Sequence, residues 1–145
     1  MAGVIDTNIL LYAVNSDDPD HAPTARFLHD AAESAEQWYV TEGILYEFLR
    51  VATHPKVFTR PLAWVDAVAF LAPLLRAPNI AVLTAGDEHW DLLEKVLGIL
   101  THPSGNLFSD VRTVVLMREH GVRSIYTADA DFLQFTGLTV VNPLR

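Results

Sequence analysis

The chain has 145 residues, half of them hydrophobic, no cysteine and a formal net charge of −8. That length suits a single domain over residues 1–145 with a buried core, and the absence of cysteine excludes disulfides, thiolate zinc sites and thiol catalysis. The acidity argues against a passive nucleic-acid binder, which needs a basic face for phosphate contacts, but leaves open an enzyme whose carboxylates are neutralised by bound divalent metal.

In chain order, the first strand is expected at residues 3–5, and Asp6 closes it. Asp6 also cuts the apolar start short, so no signal peptide is expected. A helix is predicted from His21 to about Ala35, with Ala25, Leu28, Ala32 and Ala35 on one stripe. A second strand, residues 38–40, leads to Thr41, a residue suited to capping a helix that carries Ile44, Leu45, Phe48, Leu49 and Ala52 inward. Pro61 suits the first turn of the next helix, with Leu62, Val65, Ala69 and Ala72 following. The third strand is expected at residues 80–83, then a helix over about 87–100 carrying Trp90, Leu93, Val96, Leu97 and Leu100. The last long helix is expected from about Phe108 to Gly121, a residue suited to a left-handed C-cap. Strands at 124–127 and 139–141 complete the pattern. Short apolar strands alternating with helices predict an α/β fold, with a parallel sheet of about five strands covered on both faces. No run approaches the roughly 18 uninterrupted apolar residues of a membrane span, and a cytoplasmic protein is expected.

In such sheets, ligands bind beyond the carboxyl ends of the strands, where strand order reverses. Asp6 follows the first strand and Asp129 the fourth, so both project from the same edge and meet if those strands are neighbours. Glu47 lies among Ile44, Leu45, Phe48 and Leu49, a costly setting for a charge without a partner. Asp110 lies at a helix entry, where an anion is favoured. Together Asp6, Glu47, Asp110 and Asp129 are the candidate catalytic residues, with Asp6, Asp110 and Asp129 as metal ligands. A carboxylate cluster repels itself when empty and suits Mg²⁺, which prefers oxygen ligands and activates water for attack on phosphorus. Thr7, Asn8 and Thr127 are small polar neighbours able to orient water or the carboxylates, and Asp131 is expected at the periphery, in reach of a second metal. Arg50, Lys56 and Arg60 form a local basic group, a candidate for phosphate contacts, with an ordinary solvated face as the alternative.

Each acid also has a plainer reading. Asp6 suits a turn or an N-cap and Asn8 a cap. Asp110 suits any first helical turn, and Glu47 could pair with Arg50 one turn later. Asp129 and Asp131 could both be turn residues. The six histidines form no HExxH pair, and His89 and Trp90 look like an exposed helix start. No GxSxG, GxGxxG or Walker A sequence is present.

Four segments in order carry a family resemblance. The opening Val4-Ile5-Asp6-Thr7-Asn8-Ile9-Leu10-Leu11-Tyr12-Ala13 resembles the first motif of PIN-domain nucleases, in particular VapC toxins. Glu47-Phe48-Leu49-Arg50-Val51 is similar to their second acidic motif, and Asn106-Leu107-Phe108-Ser109-Asp110 to the third. Thr127-Ala128-Asp129-Ala130-Asp131-Phe132 is similar to the fourth. Val111 departs from the small residue that many relatives carry after the third-motif aspartate. The resemblance implies a Rossmann-like three-layer PIN fold and a Mg²⁺- or Mn²⁺-dependent endoribonuclease that blocks translation by cutting tRNA, rRNA or mRNA. It also implies a homodimer neutralised by a VapB-type antitoxin, whose C-terminal segment fills the toxin groove. The family's acidic positions correspond to Asp6, Glu47, Asp110 and Asp129. The competing readings are a catalytically silent PIN-like interaction module and a PIN nuclease outside toxin–antitoxin systems. A phosphorelay receiver fits poorly, because the third strand ends in Leu83-Thr84-Ala85-Gly86 and no lysine follows Lys95.

Overall fold

A computed structural model describes residues 2–145. The elements run β1 (Val4–Ile5), α1 (Thr7–Val14), α2 (His21–Glu33), β2 (Trp38–Thr41), α3 (Glu42–Ala52), α4 (Trp64–Arg76), β3 (Ile80–Leu83), α5 (His89–Gly98), α6 (Leu107–Glu119), β4 (Ser124–Tyr126), a 3-10 helix (Ala130–Gln134) and β5 (Thr139–Val141). The five strands form one parallel sheet in the order β3-β2-β1-β4-β5, flanked by helices. The α/β reading therefore holds. Successive connections step from β1 to β2 to β3, and the next returns past β1 to β4. Strand order thus reverses between β1 and β4, which puts a crevice beyond their carboxyl ends.

The central strands are short because little chain is needed there. Val4, Ile5 and Ile125 are fully buried, as expected for strands covered on both faces. Gly3 lies so close to β4 that an added Cβ would sit 2.1 Å from the Ser124 carbonyl oxygen. Phe27, Trp38 and Tyr126 form an aromatic cluster that ties α2 to the strands on either side of β1, with Trp38 and Tyr126 ring centroids 4.8 Å apart. Helix α6 is the most deeply set. Val111 and all of residues 113–117 are buried, and Arg112 alone in that stretch is exposed. Gly121 follows α6 with φ +67°, the left-handed conformation expected of it.

Several sequence expectations are corrected. Helix α1 was not anticipated: Asp6 caps it, accepting from the Thr7 amide at 2.8 Å. Pro61 is not in the first turn of α4, which begins at Trp64. The Leu62 amide first bonds back to the Ala52 carbonyl at 2.9 Å, so this stretch turns off the end of α3 before the next helix starts. The inward face of α4 is accordingly Ala67, Leu71 and Leu74, with Phe70 stacked on Phe48, whereas Val65 and Ala69 face out. Trp90 is exposed rather than inward, and β3, at the sheet edge, exposes Ala81 and Val82. Ala35 lies beyond the end of α2 and is exposed. His89 is not a free helix start. It pairs with the nearly buried Glu119 of α6, which also accepts from the Gly86 amide at 2.7 Å. No helix among the described residues is long and apolar enough to cross a membrane.

Candidate active site

The crevice beyond β1 and β4 is a cleft of about 940 Å³. Asp6, Glu47, Asp110, Asp129 and Asp131 all line it, together with Thr7 and Asn8. Each acid arrives by its own piece of local structure, and the plain structural roles turn out to coexist with the cleft. Asp6 ends β1 and caps α1. Its own amide donates to the Tyr126 carbonyl at 3.0 Å, which locks the strand end against β4. Asp110 sits in the first turn of α6. Asp129 caps the 3-10 helix and its Oδ1 accepts from the Asp131 amide at 2.8 Å. That turn brings the Asp131 carboxylate back toward the crevice instead of out to the periphery.

A hydrogen-bond hub fixes the buried acid. Thr127, 1% exposed, donates from Oγ1 to Asp6 Oδ2 at 2.7 Å. The same hydroxyl accepts from Asn8 Nδ2 at 3.0 Å and from the Asp129 amide at 3.0 Å. Asn8 also donates to Asp6 Oδ2 at 3.3 Å, and its Oδ1 accepts from the Ala128 amide at 3.2 Å. The start of α1 and the end of β4 are thereby held in register. Thr127 spends both acceptor positions and its donor within the site, so its side chain has one orientation.

The carboxylates of Asp110, Asp129 and Asp131 each offer an oxygen, and these oxygens lie within 4.8 Å of one another. Asp6 lies outside this tightest trio, its oxygens engaged by Thr7, Asn8 and Thr127. It acts on the trio electrostatically. Burial pushes the Asp110 carboxyl up to about 7, and the charges of Asp6, then Asp129 and Asp131, push the same way. The Asp6 carboxyl is also raised, chiefly by burial, against the lowering effect of its bonds from Thr127 and Thr7. A group of hard oxygen donors that resists full ionisation is the donor set expected of a divalent cation site. These residues fit a metal.

This coupling has a measurable consequence. In the folded, metal-free chain Asp110 holds its proton up to about pH 7, whereas unfolded it ionises near its ordinary 3.8. Its contribution to stability is therefore present at low pH and lost as pH rises through about 7. A bound cation needs the ionised form, so metal works against the proton. The gain in thermal midpoint on adding Mg²⁺, relative to EDTA, is expected to be small at pH 5 and largest near pH 8. Asp110→Asn should flatten that dependence. Equal gains at both pH values, read by calorimetry, would remove the assignment of Asp110 to the metal.

Glu47 lines the same cleft but is paired: Arg50 Nη2 lies 2.5 Å from Oε1, and Arg50 Nε donates to Oε2 at 3.1 Å. Both the cleft position and the pairing anticipated for Glu47 therefore occur. Of the basic group, Arg50 alone borders the cleft. Arg60 is held by Asp17 at 2.6 Å, and Lys56 is exposed elsewhere. Arg112 and Tyr46, which no motif singled out, also line the cleft.

The PIN domain pattern matches residues 3–138. The chain is a PIN-domain protein. Within that family it belongs with the VapC ribonucleases: it is 35% identical over 144 residues to ribonuclease VapC33 of Mycobacterium tuberculosis, covering 97% of this chain and 96% of the relative. Among solved structures, the PIN fold here is similar to that of Mycobacterium tuberculosis VapC20, a sarcin–ricin-loop-cleaving toxin. The TM-score is 0.62 at 20% identity, over 95% of this chain and 98% of that one. It is similar also to VapBC2 of Rickettsia felis bound to a promoter DNA fragment, with a TM-score of 0.65 at 18% identity over 98% of each chain.

Proposed function

We propose that this PIN-domain chain is a Mg²⁺-dependent endoribonuclease, the toxin of a type II toxin–antitoxin pair, with residues 1–145 forming one catalytic domain. The observation that carries the reading is the meeting of Asp110, Asp129 and Asp131 at one point of a cleft that also holds Asp6 and Glu47. The kinship with VapC33 supports RNA as the substrate. Asp110, Asp129 and Asp131 hold the cation, Mg²⁺ or Mn²⁺, and the buried Asp6 faces them as a fixed negative charge. When bound, the cation supplies Lewis acidity at the phosphoryl oxygen and an activated water for in-line attack. Thr127 and Asn8 keep Asp6 from turning away. Glu47, released from Arg50, is the group free to take a proton at the open side of the cleft, and Arg50 is then free to meet an RNA phosphate. Cleavage leaves a 5′-phosphate and a 3′-hydroxyl.

The likeness to VapBC2 supports a VapB-type antitoxin as partner, and a homodimer as the working form and action in the cytoplasm belong to the same proposal. Sequencing of RNA ends after induced expression tests the activity and finds the target in one step. A discrete set of new 5′-phosphate ends is expected, reproduced by the purified chain with Mg²⁺ and absent with EDTA. Ends indistinguishable from the uninduced culture, with no cleavage in vitro, would remove the ribonuclease reading in favour of a silent interaction module.

A further inference from the structure

Two arginines line the cleft, and they are in different states. Arg50 is committed to Glu47 through both its Nε and its Nη2. Arg112 makes no hydrogen bond or ion pair among the described residues, although it borders a cleft lined by Asp6, Glu47, Asp110, Asp129 and Asp131. A guanidinium in such a field ordinarily finds a carboxylate, since the bidentate pair is among the stronger contacts a protein makes. Local structure withholds one. Arg112 is the single exposed residue in the buried stretch 111–117 of α6, so its side chain leaves the helix on the cleft side.

There it lies along the first turn of α3, over Gly43. A Cβ at Gly43 would come within 3.0 Å of Arg112 Nη1, 3.5 Å of Cζ and 3.6 Å of Cδ. The missing side chain at Gly43 is thus the shelf on which the guanidinium rests. An arginine that is shelved, desolvated on one side and unpaired has its planar fork of donors free for an incoming anion.

We propose that Arg112 is a phosphate-binding residue of the cleft, gripping a non-bridging oxygen of an RNA phosphate beside the one that is cut. This rests on the ribonuclease reading for the identity of the ligand. With a cation held by the trio of acids, Arg112 is the cationic side chain of the cleft that need release no carboxylate before it meets the substrate. It positions the strand and takes no part in the proton transfers. The acidic cleft then admits a polyanion along one path, over α6 and α3, where the positive charge stands.

The experiment measures binding apart from turnover. A labelled single-stranded 12-nucleotide RNA is titrated with the Asp6→Asn chain in Mg²⁺, with and without Arg112→Ala, over a series of salt concentrations. Loss of Arg112 is expected to weaken binding by roughly tenfold and to reduce the slope of log K against log salt by about 0.7, the value for one phosphate contact on a single strand. In the otherwise wild-type chain, Arg112→Ala should raise KM by a similar factor and leave kcat within about twofold, with an unchanged melting curve. Gly43→Ala should weaken binding in the same direction: the end of a flexible side chain can yield to the new methyl, so the fold stays while the shelf is lost. An unchanged salt slope and KM in Arg112→Ala, with wild-type cleavage intact, would overturn the assignment of Arg112 alone. A wild-type chain that binds RNA through Arg112 but does not cut it would remove the ribonuclease reading and leave the grip standing.

Discussion

Asp6→Asn is expected to lower RNA cleavage by at least about 10²-fold with the fold retained, the loss typical of removing one preorganised electrostatic group from an active site. Asparagine keeps an oxygen for the Thr7 amide, so the α1 cap survives. On the other side an NH₂ replaces Oδ2, which now accepts from both Thr127 and Asn8. Both Thr127 acceptor positions are already used by Asn8 and the Asp129 amide, so the new donor is poorly matched. Against that loss stands the removal of a charge only 8% exposed. The two effects oppose each other, and stability should move by no more than about 1–2 kcal/mol. A second readout separates a local electrostatic role from a mere disturbance. The Asp6 charge is the largest electrostatic push on Asp110, so in Asp6→Asn the Asp110 carboxyl should titrate clearly below its value of about 7. Carbon-detected NMR of the aspartate carboxyls measures this directly. Retained cleavage, or an Asp110 titration that does not move, would remove Asp6 from the site.

Gly3→Ala should be the most destabilising conservative change in the chain. The new Cβ would meet the Ser124 carbonyl oxygen at 2.1 Å and its carbon at 2.7 Å, and both belong to backbone inside the sheet. No side chain can swing aside, so β1 and β4 must part. A steric conflict of this kind in a packed interior costs on the order of 3–5 kcal/mol, or roughly 10–20 °C in thermal midpoint for a chain of this size. The effect should reach the chemistry as well. The β1–β4 contact is what sets Asp6 Oδ2 at 2.7 Å from Thr127. Activity per folded molecule is therefore expected to fall along with stability. Gly98→Ala is the matched control, because nothing lies within 4 Å of a Cβ there. A Gly3→Ala protein that melts with the wild type would mean that the two strands do not approach as closely as described.

Strand–helix alternation was readable in the sequence because short apolar runs and amphipathic stretches differ in period and length. Helix α1 is hidden for the opposite reason: Thr7–Val14 is apolar nearly throughout, so no face stands out and no helical period is legible there. The phase of α4 is not legible locally because its inward face is set by β3 and by Phe48, contacts with no trace in a local window. Asp6 and Asp129 could be found from strand ends alone. The inward turn of Asp131 depends on a backbone bond to Asp129, and the His89–Glu119 pair depends on α5 packing against α6. Arg112 carried no signal at all, since one arginine in a helix is usually just solvated. Its setting emerges only when Gly43, far away in sequence, is brought beside it.

The pairing of β1 with β4 joins Val4 to Ile125 and Ile5 to Tyr126. During synthesis, then, the first strand can pair with β2 early but waits about 120 residues for its second neighbour, β4, and such long-range closure is a late event in folding. Until then Asp6 lacks Thr127, and Asp110 has neither Asp129 nor Asp131 beside it. Chain order itself therefore acts as a delay: the cleft closes only after residues 124–131 have been made.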